Sequence, residues 1–176
     1  MNSSSTLKEK LISECRLTGS FKTRSGQIVS TYFDKYQFEG NPHLLSAIAS
    51  ELSRMVPAEV EILAGLEMGG IPLATAVSLE TGLPVCFVRK NAKPHGTQTI
   101  AEGPSPKGKK VLIIEDVTTT GGQIILSAND LMKIGADIVG VMLVIARSNK
   151  ALEALNEADL PLYAYMLPED VSKYMD

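Results

Sequence analysis

The segment Val111-Leu-Ile-Ile-Glu-Asp-Val-Thr-Thr-Thr-Gly-Gly122 sets two carboxylates, Glu115 and Asp116, between an apolar run and a hydroxyl- and glycine-rich turn. A turn of that kind, opening a helix, offers free backbone N–H groups and Thr hydroxyls to an anion. A phosphate suits Val117, Thr118, Thr119, Thr120, Gly121 and Gly122. The carboxylates would repel that phosphate, so they suit neutral hydroxyls beside it, or a cation. A phosphate next to vicinal hydroxyls describes a 5-phosphoribosyl group. The turn lacks the Gly-Lys-Ser/Thr of a triphosphate loop and the Gly-x-Gly-x-x-Gly of a dinucleotide site. The plainer alternative is an acidic strand end that caps a helix through Thr120. It suits an isolated Asp-x-Thr turn better than this whole segment.

A second group is cationic. Arg89-Lys-Asn-Ala-Lys-Pro-His-Gly-Thr97 collects Arg89, Lys90, Lys93 and His95 at the start of a long polar stretch. Charge runs are usually solvated faces. This one follows an apolar run and opens a Gly-containing segment, where a basic lid would neutralise a heavily charged leaving group such as pyrophosphate. A third group is Gly65-Leu-Glu-Met-Gly-Gly70, whose close glycines let backbone N–H groups approach a phosphate.

These groups need a scaffold. Leu7, Leu11 and Ile12 predict a helix over 6–15, after a frayed polar tip at Asn2–Ser5. Residues 19–33 read as a hairpin around Ser25-Gly26. Asn41-Pro42 starts a helix that runs to about Met55. Strands are expected at 60–64, 85–89, 110–116, 138–146 and 162–167, with helices at 72–80, 122–134 and 151–158. The stretch 91–109 reads as a loop. Strands without polar alternation, separated by helices, predict an α/β fold with a parallel sheet covered on both faces. Ligands then bind beyond the carboxyl ends of the strands. The three chemical segments leave those ends.

Composition excludes several classes. The 176 residues are 44 % hydrophobic and 21 % charged, as in an ordinary globular domain. Seventeen Lys and Arg against 20 Asp and Glu leave a charge of −3, which argues against a general nucleic-acid binder. No apolar run approaches the roughly 20 residues of a membrane span. Met1 to Lys10 lacks the apolar core of a secretory signal. Cys15 and Cys86 read as two reduced thiols in a cytoplasmic protein. With His43 and His95 as the only histidines, no zinc site is expected.

The segment Val111–Gly122 resembles, without a gap, the phosphoribosyl-pyrophosphate signature of the type I phosphoribosyltransferases. Arg89-Lys-x-x-Lys-x-His-Gly96 looks like the catalytic loop of the orotate phosphoribosyltransferases within that family. The resemblance runs from about Gly19 to Arg147. It implies the type I phosphoribosyltransferase fold, a Rossmann-like parallel sheet flanked by helices. It implies one domain over 1–176, with a small hood at about 1–40 plus C-terminal elements and a core at about 41–150. By position, Glu115 and Asp116 would hold the ribose hydroxyls and residues 117–122 the 5-phosphate. Arg89, Lys90, Lys93, His95, Gly69 and Gly70 would face the pyrophosphate, with Lys93 and His95 catalytic. Arg24, Thr119 and Arg147 would contact orotate. The family's cofactor is Mg²⁺, held by substrate oxygens and water rather than by protein side chains. Its usual assembly is a homodimer that shares the loop 89–103, with no nucleic acid and no membrane. The activity implied is transfer of the phosphoribosyl group from phosphoribosyl pyrophosphate to orotate. Two departures bear on this. Arg24 stands where many members carry Lys, and Gly69 where some carry Lys. The alternatives are a transferase for a purine or another base, and a non-catalytic sensor of phosphoribosyl pyrophosphate.

Overall fold

Val111, Leu112, Ile113 and Ile114 are all fully buried, which a strand achieves only with cover on both faces. The computed structural model describes residues 3–22, 26–90 and 100–175. In chain order these form α1 (Ser3–Cys15), β1 (Arg16–Lys22), β2 (Ile28–Phe33), α2 (Tyr36–Glu39), α3 (Pro42–Ser53), β3 (Ile62–Leu66) and α4 (Gly70–Thr81). There follow β4 (Val85–Val88), β5 (Ala101–Glu102), β6 (Lys110–Thr118), α5 (Gly122–Lys133), β7 (Asp137–Ala146), α6 (Asn149–Glu157), β8 (Leu162–Met166) and α7 (Pro168–Met175).

The main sheet has the order β5-β4-β3-β6-β7-β8. Its strands run parallel except β5, a short antiparallel edge on β4. Successive residues face opposite cores. Leu63, Leu112, Ile114 and Met142 meet Leu11 of α1, Ile48 and Leu52 of α3, and Leu73 and Val77 of α4. Ile62, Ile113, Val141 and Leu143 meet Ile124 and Leu131 of α5 and Leu155 of α6. From the adjacent strands β3 and β6 the chain departs in opposite directions, β3 through α4 to β4 and β6 through α5 to β7. A crevice opens at such a reversal, beyond the carboxyl ends of the strands.

β1 and β2 form a separate antiparallel hairpin, with Phe21 and Tyr32 rings 5.4 Å apart. The two chain ends meet through α1 and α7, where Lys8 pairs with Asp170 at 3.0 Å. Cys15 and Cys86 are buried in opposite cores and unpaired. Among the described residues, no helix is long and apolar enough to cross a membrane.

Several expectations need correction. Ser3–Ser5 continue α1 instead of fraying. The first hairpin strand begins at Arg16. The strand expected at 60–64 lies at Ile62–Leu66. Val60 closes a turn onto the Pro57 carbonyl, while Gly65 and Leu66 pair with Phe87 and Val88. The helices α2 and α7 and the strand β5 went unread. α2 and β5 are too short for a period to register, and β5 breaks the loop expected at 91–109.

Candidate active site

Asp116 is fully buried and Glu115 nearly so, at the carboxyl end of the central strand β6. The side chains stay polar there because local backbone groups hold them. The Asp116 N–H donates to Glu115 Oε1 at 2.9 Å, and the Val117 N–H donates to Asp116 Oδ1. The turn that follows is closed by the Gly121 N–H donating to Thr118 Oγ1 at 3.0 Å. Gly121 sits at φ +74°, a left-handed conformation that glycine adopts without strain. No side chain caps α5, so its first N–H groups remain open to an anion beside exposed Thr119 and Thr120.

The β3–α4 loop closes against the same carboxylates. A Cβ on Gly69 would lie 1.6 Å from Asp116 Oδ2 and 2.7 Å from Glu39 Oε1. A Cβ on Gly70 would lie 2.2 Å from the Ile114 carbonyl oxygen. Glycine is therefore a packing requirement at both positions. The Glu67–Met68 peptide in this loop is cis.

Two further side chains reach the cluster from α2 and its start, and sequence reasoning missed both. The Lys35 ammonium lies 2.5 Å from Asp116 Oδ2. Glu39 Oε1 is buried and accepts no hydrogen bond. The only signal in the sequence is a Lys and a Glu four residues apart, between the hairpin and the Asn41 cap. Burial, then the hydrogen bond and charge of Asp116, push both Glu39 and Glu115 up to about 9. Burial would raise Asp116 as well, but hydrogen bonds from Glu39, Glu115 and Lys35 outweigh it and hold its carboxyl below the usual range. Within the cluster Glu39 and Glu115 thus hold protons more tightly than a free carboxyl does, and Asp116, beside the Lys35 ammonium, is the member that ionises most readily.

The neighbouring strand end brings in Arg147. Its N–H donates to the Thr118 carbonyl at 2.9 Å, and the Ser148 hydroxyl donates to the Thr119 carbonyl. These bonds fix the end of β7 to the phosphate-type turn. The Arg147 guanidinium lies over the Phe33 ring at 5.6 Å, and a small cleft runs between them and Ile12, Ile145 and Val171. An exposed cation beside an aromatic face suits a planar anionic ring.

The cationic segment is placed only at its base. The Arg89 guanidinium pairs with Glu102 at 3.1 Å, and the Arg89 N–H donates to the Ile100 carbonyl at 2.9 Å. Lys90 is exposed. Lys93, His95 and Arg24 lie outside the described residues. Among the described residues, no group of three or more His, Cys, Asp or Glu is arranged to hold a metal ion.

Comparison with known proteins agrees with this geometry. The family model for the phosphoribosyl transferase domain matches residues 38–159. An orotate phosphoribosyltransferase of Nocardioides sp. is 46 % identical over 84 % of this chain and 83 % of its own length. The orotate phosphoribosyltransferase of Pyrococcus abyssi is 39 % identical over 94 % of this chain and 95 % of its own length. Among solved structures, the orotate phosphoribosyltransferase of Mycobacterium tuberculosis superposes with a TM-score of 0.86 at 26 % identity, covering 97 % of this chain and 99 % of that one. A buried acidic pair beside an open helix start, in this fold and at this level of identity, places the chain in the phosphoribosyl transferase family, among the orotate phosphoribosyltransferases.

Proposed function

We propose that this chain transfers the 5-phosphoribosyl group from phosphoribosyl pyrophosphate to orotate, giving orotidine 5-monophosphate and pyrophosphate in pyrimidine nucleotide synthesis. The observation that carries the reading is the buried Glu115–Asp116 pair between the uncapped start of α5 and the glycine loop of α4. In this reading the 5-phosphate sits on the N–H groups and hydroxyls of residues 117–122. Glu115 and Asp116 hold the ribose hydroxyls, and the ionised Asp116 steadies the positive charge that develops at the anomeric carbon. The backbone N–H groups of the loop at Gly69 and Gly70, packed against β6, face the pyrophosphate. Arg147, stacked on Phe33, pairs with the carboxylate of orotate, and Thr119 and Arg24 complete the base site.

Lys90, Lys93 and His95 face the departing pyrophosphate, with Lys93 and His95 the catalytic members. Arg89 has two readings open to it, a pyrophosphate contact or the brace to Glu102 that it makes in the free protein. Magnesium on the pyrophosphate oxygens would supply further charge neutralisation, and the hard oxygen donors of substrate and water fit it better than a protein cage. The molecule works as a homodimer in which segment 89–103 reaches the partner's site. A hood at about 1–40 plus C-terminal elements covers a core at about 41–150, all within one domain in the cytoplasm.

The test is the change in orotate ultraviolet absorbance on mixing with phosphoribosyl pyrophosphate and Mg²⁺, with uracil, hypoxanthine and adenine in parallel. A change with orotate alone is expected. Turnover of another base instead would keep the ribose site and reassign the base site. Binding of phosphoribosyl pyrophosphate without turnover of any base would make the protein a sensor.

A further inference from the structure

The stretch 34–40 enters the site although no motif marks it. Asp34 organises the turn, accepting from the Tyr36 N–H at 3.2 Å and from the Gln37 side-chain amide at 2.8 Å. The Asp34 N–H in turn donates to the Cys15 carbonyl at 2.8 Å. Phe38, fully buried, anchors α2 in the core. Lys35 and Glu39 are thereby delivered, one turn apart, to the end of β6. Lys35 remains about one-third exposed while its partner Asp116 is wholly enclosed. Asp116 Oδ2 and Glu39 Oε1 both lie within 2.7 Å of the point that a Gly69 side chain would occupy. Asp116 Oδ2 has the Lys35 ammonium as its partner, while Glu39 Oε1 accepts no hydrogen bond.

We propose that Lys35 is a positioning residue of the ribose site, whose ammonium keeps Asp116 a fixed anion among the Glu39 and Glu115 carboxyls so that an anionic sugar phosphate can enter. The inference rests on the phosphoribosyl reading above. A buried anion with two further carboxyls at hand would otherwise take up a proton or turn away from the crevice. It could then no longer accept from a ribose hydroxyl. The charged and titratable groups facing Lys35 are Asp116 and Glu115 from β6 and Tyr36 from its own element, with Glu39 next to them. The Lys35 ammonium also lies 5.3 Å from the Tyr36 ring.

The experiment is a double-mutant cycle between Lys35→Gln and Asp116→Asn, read as the dissociation constant of phosphoribosyl pyrophosphate by calorimetry from pH 5 to 9. Lys35→Gln alone is expected to weaken binding about tenfold at neutral pH. The acid side of its binding profile should move to higher pH, and Lys35→Arg should return it to within about threefold of wild type. In the Asp116→Asn background, Lys35→Gln should change affinity by less than about twofold, because the group it acts through is gone. The double variant leaves no unpaired buried charge, so it remains informative if Lys35→Gln alone fails to fold. Equal weakening in both backgrounds would overturn the proposal and make Lys35 a direct substrate contact. An unchanged affinity and pH profile in Lys35→Gln would overturn it as well. Binding is read without orotate, so a wild-type chain that binds but does not turn over orotate fails only the base assignment. A wild-type chain that binds no phosphoribosyl pyrophosphate fails the phosphoribosyl reading itself.

Discussion

Asp116 and Arg147 stand at the carboxyl ends of neighbouring strands, and in the proposed function each serves a different substrate. Asp116 is enclosed and charged, so its exchange for a neutral isostere removes an acceptor that water cannot replace. Asp116→Asn is expected to weaken phosphoribosyl pyrophosphate binding about tenfold or more, measured by calorimetry, while the secondary structure is kept. Arg147 is exposed and rests on Phe33, so its loss should not disturb the core. Arg147→Ala is expected to raise the KM for orotate by about 10- to 100-fold and to leave phosphoribosyl pyrophosphate affinity within about threefold, since it removes one charged partner only. Parallel losses for both substrates would point to a shifted β7 end instead. At this scale the sequence was informative where residues were contiguous. Glu115, Asp116 and the Thr-Gly turn stand side by side in one segment. Lys35 and Glu39 join them only in space, about eighty positions away in the chain.

The elements explain why glycine recurs at the site. α4 begins where its first residue touches the backbone of β6, and any side chain at Gly70 would meet the Ile114 carbonyl. Gly70→Ala is expected to lower unfolding free energy by about 1–3 kcal/mol in urea titration, with reduced activity in the fraction that folds. The element order was legible because apolar runs and caps repeat along the core. Asn41 caps α3 through its side chain, accepting from the His43 and Leu44 N–H groups, as its type and the following proline predict. The short α2 escaped because four residues carry no periodicity, although its buried Phe38 is what seats it.

For the whole molecule, the buried carboxyl cluster couples stability to pH. Glu39 and Glu115 titrate at about 9 when folded and near 4.5 in the open chain. Between those values the folded state binds more protons, so stability falls as pH rises, most of it gone once pH passes about 9. Asp116 acts in the opposite sense. Its lowered value favours the folded state above its open-chain pKa of 3.8 and withdraws that support as pH falls further. The ligand-free protein is therefore expected to melt highest in mildly acidic buffer and progressively lower toward pH 9, measured by differential scanning calorimetry. Glu115→Gln should flatten that decline. A melting temperature that rises steadily from pH 6 to 9 in the wild type would contradict the protonated cluster.

Taken alone, the residues determined the class of fold, the strand that carries the acidic pair, the phosphate-type turn and the cation at the end of the next strand. Each of these depends on neighbours in the chain, through periodicity, capping and the chemistry of adjacent side chains. The tertiary structure decided what surrounds Asp116. It brought Gly69 from one loop, and Lys35 and Glu39 from a short helix, to a single buried carboxylate. Local pattern holds no record of that meeting, because it follows from how α2 and α4 pack on the end of β6.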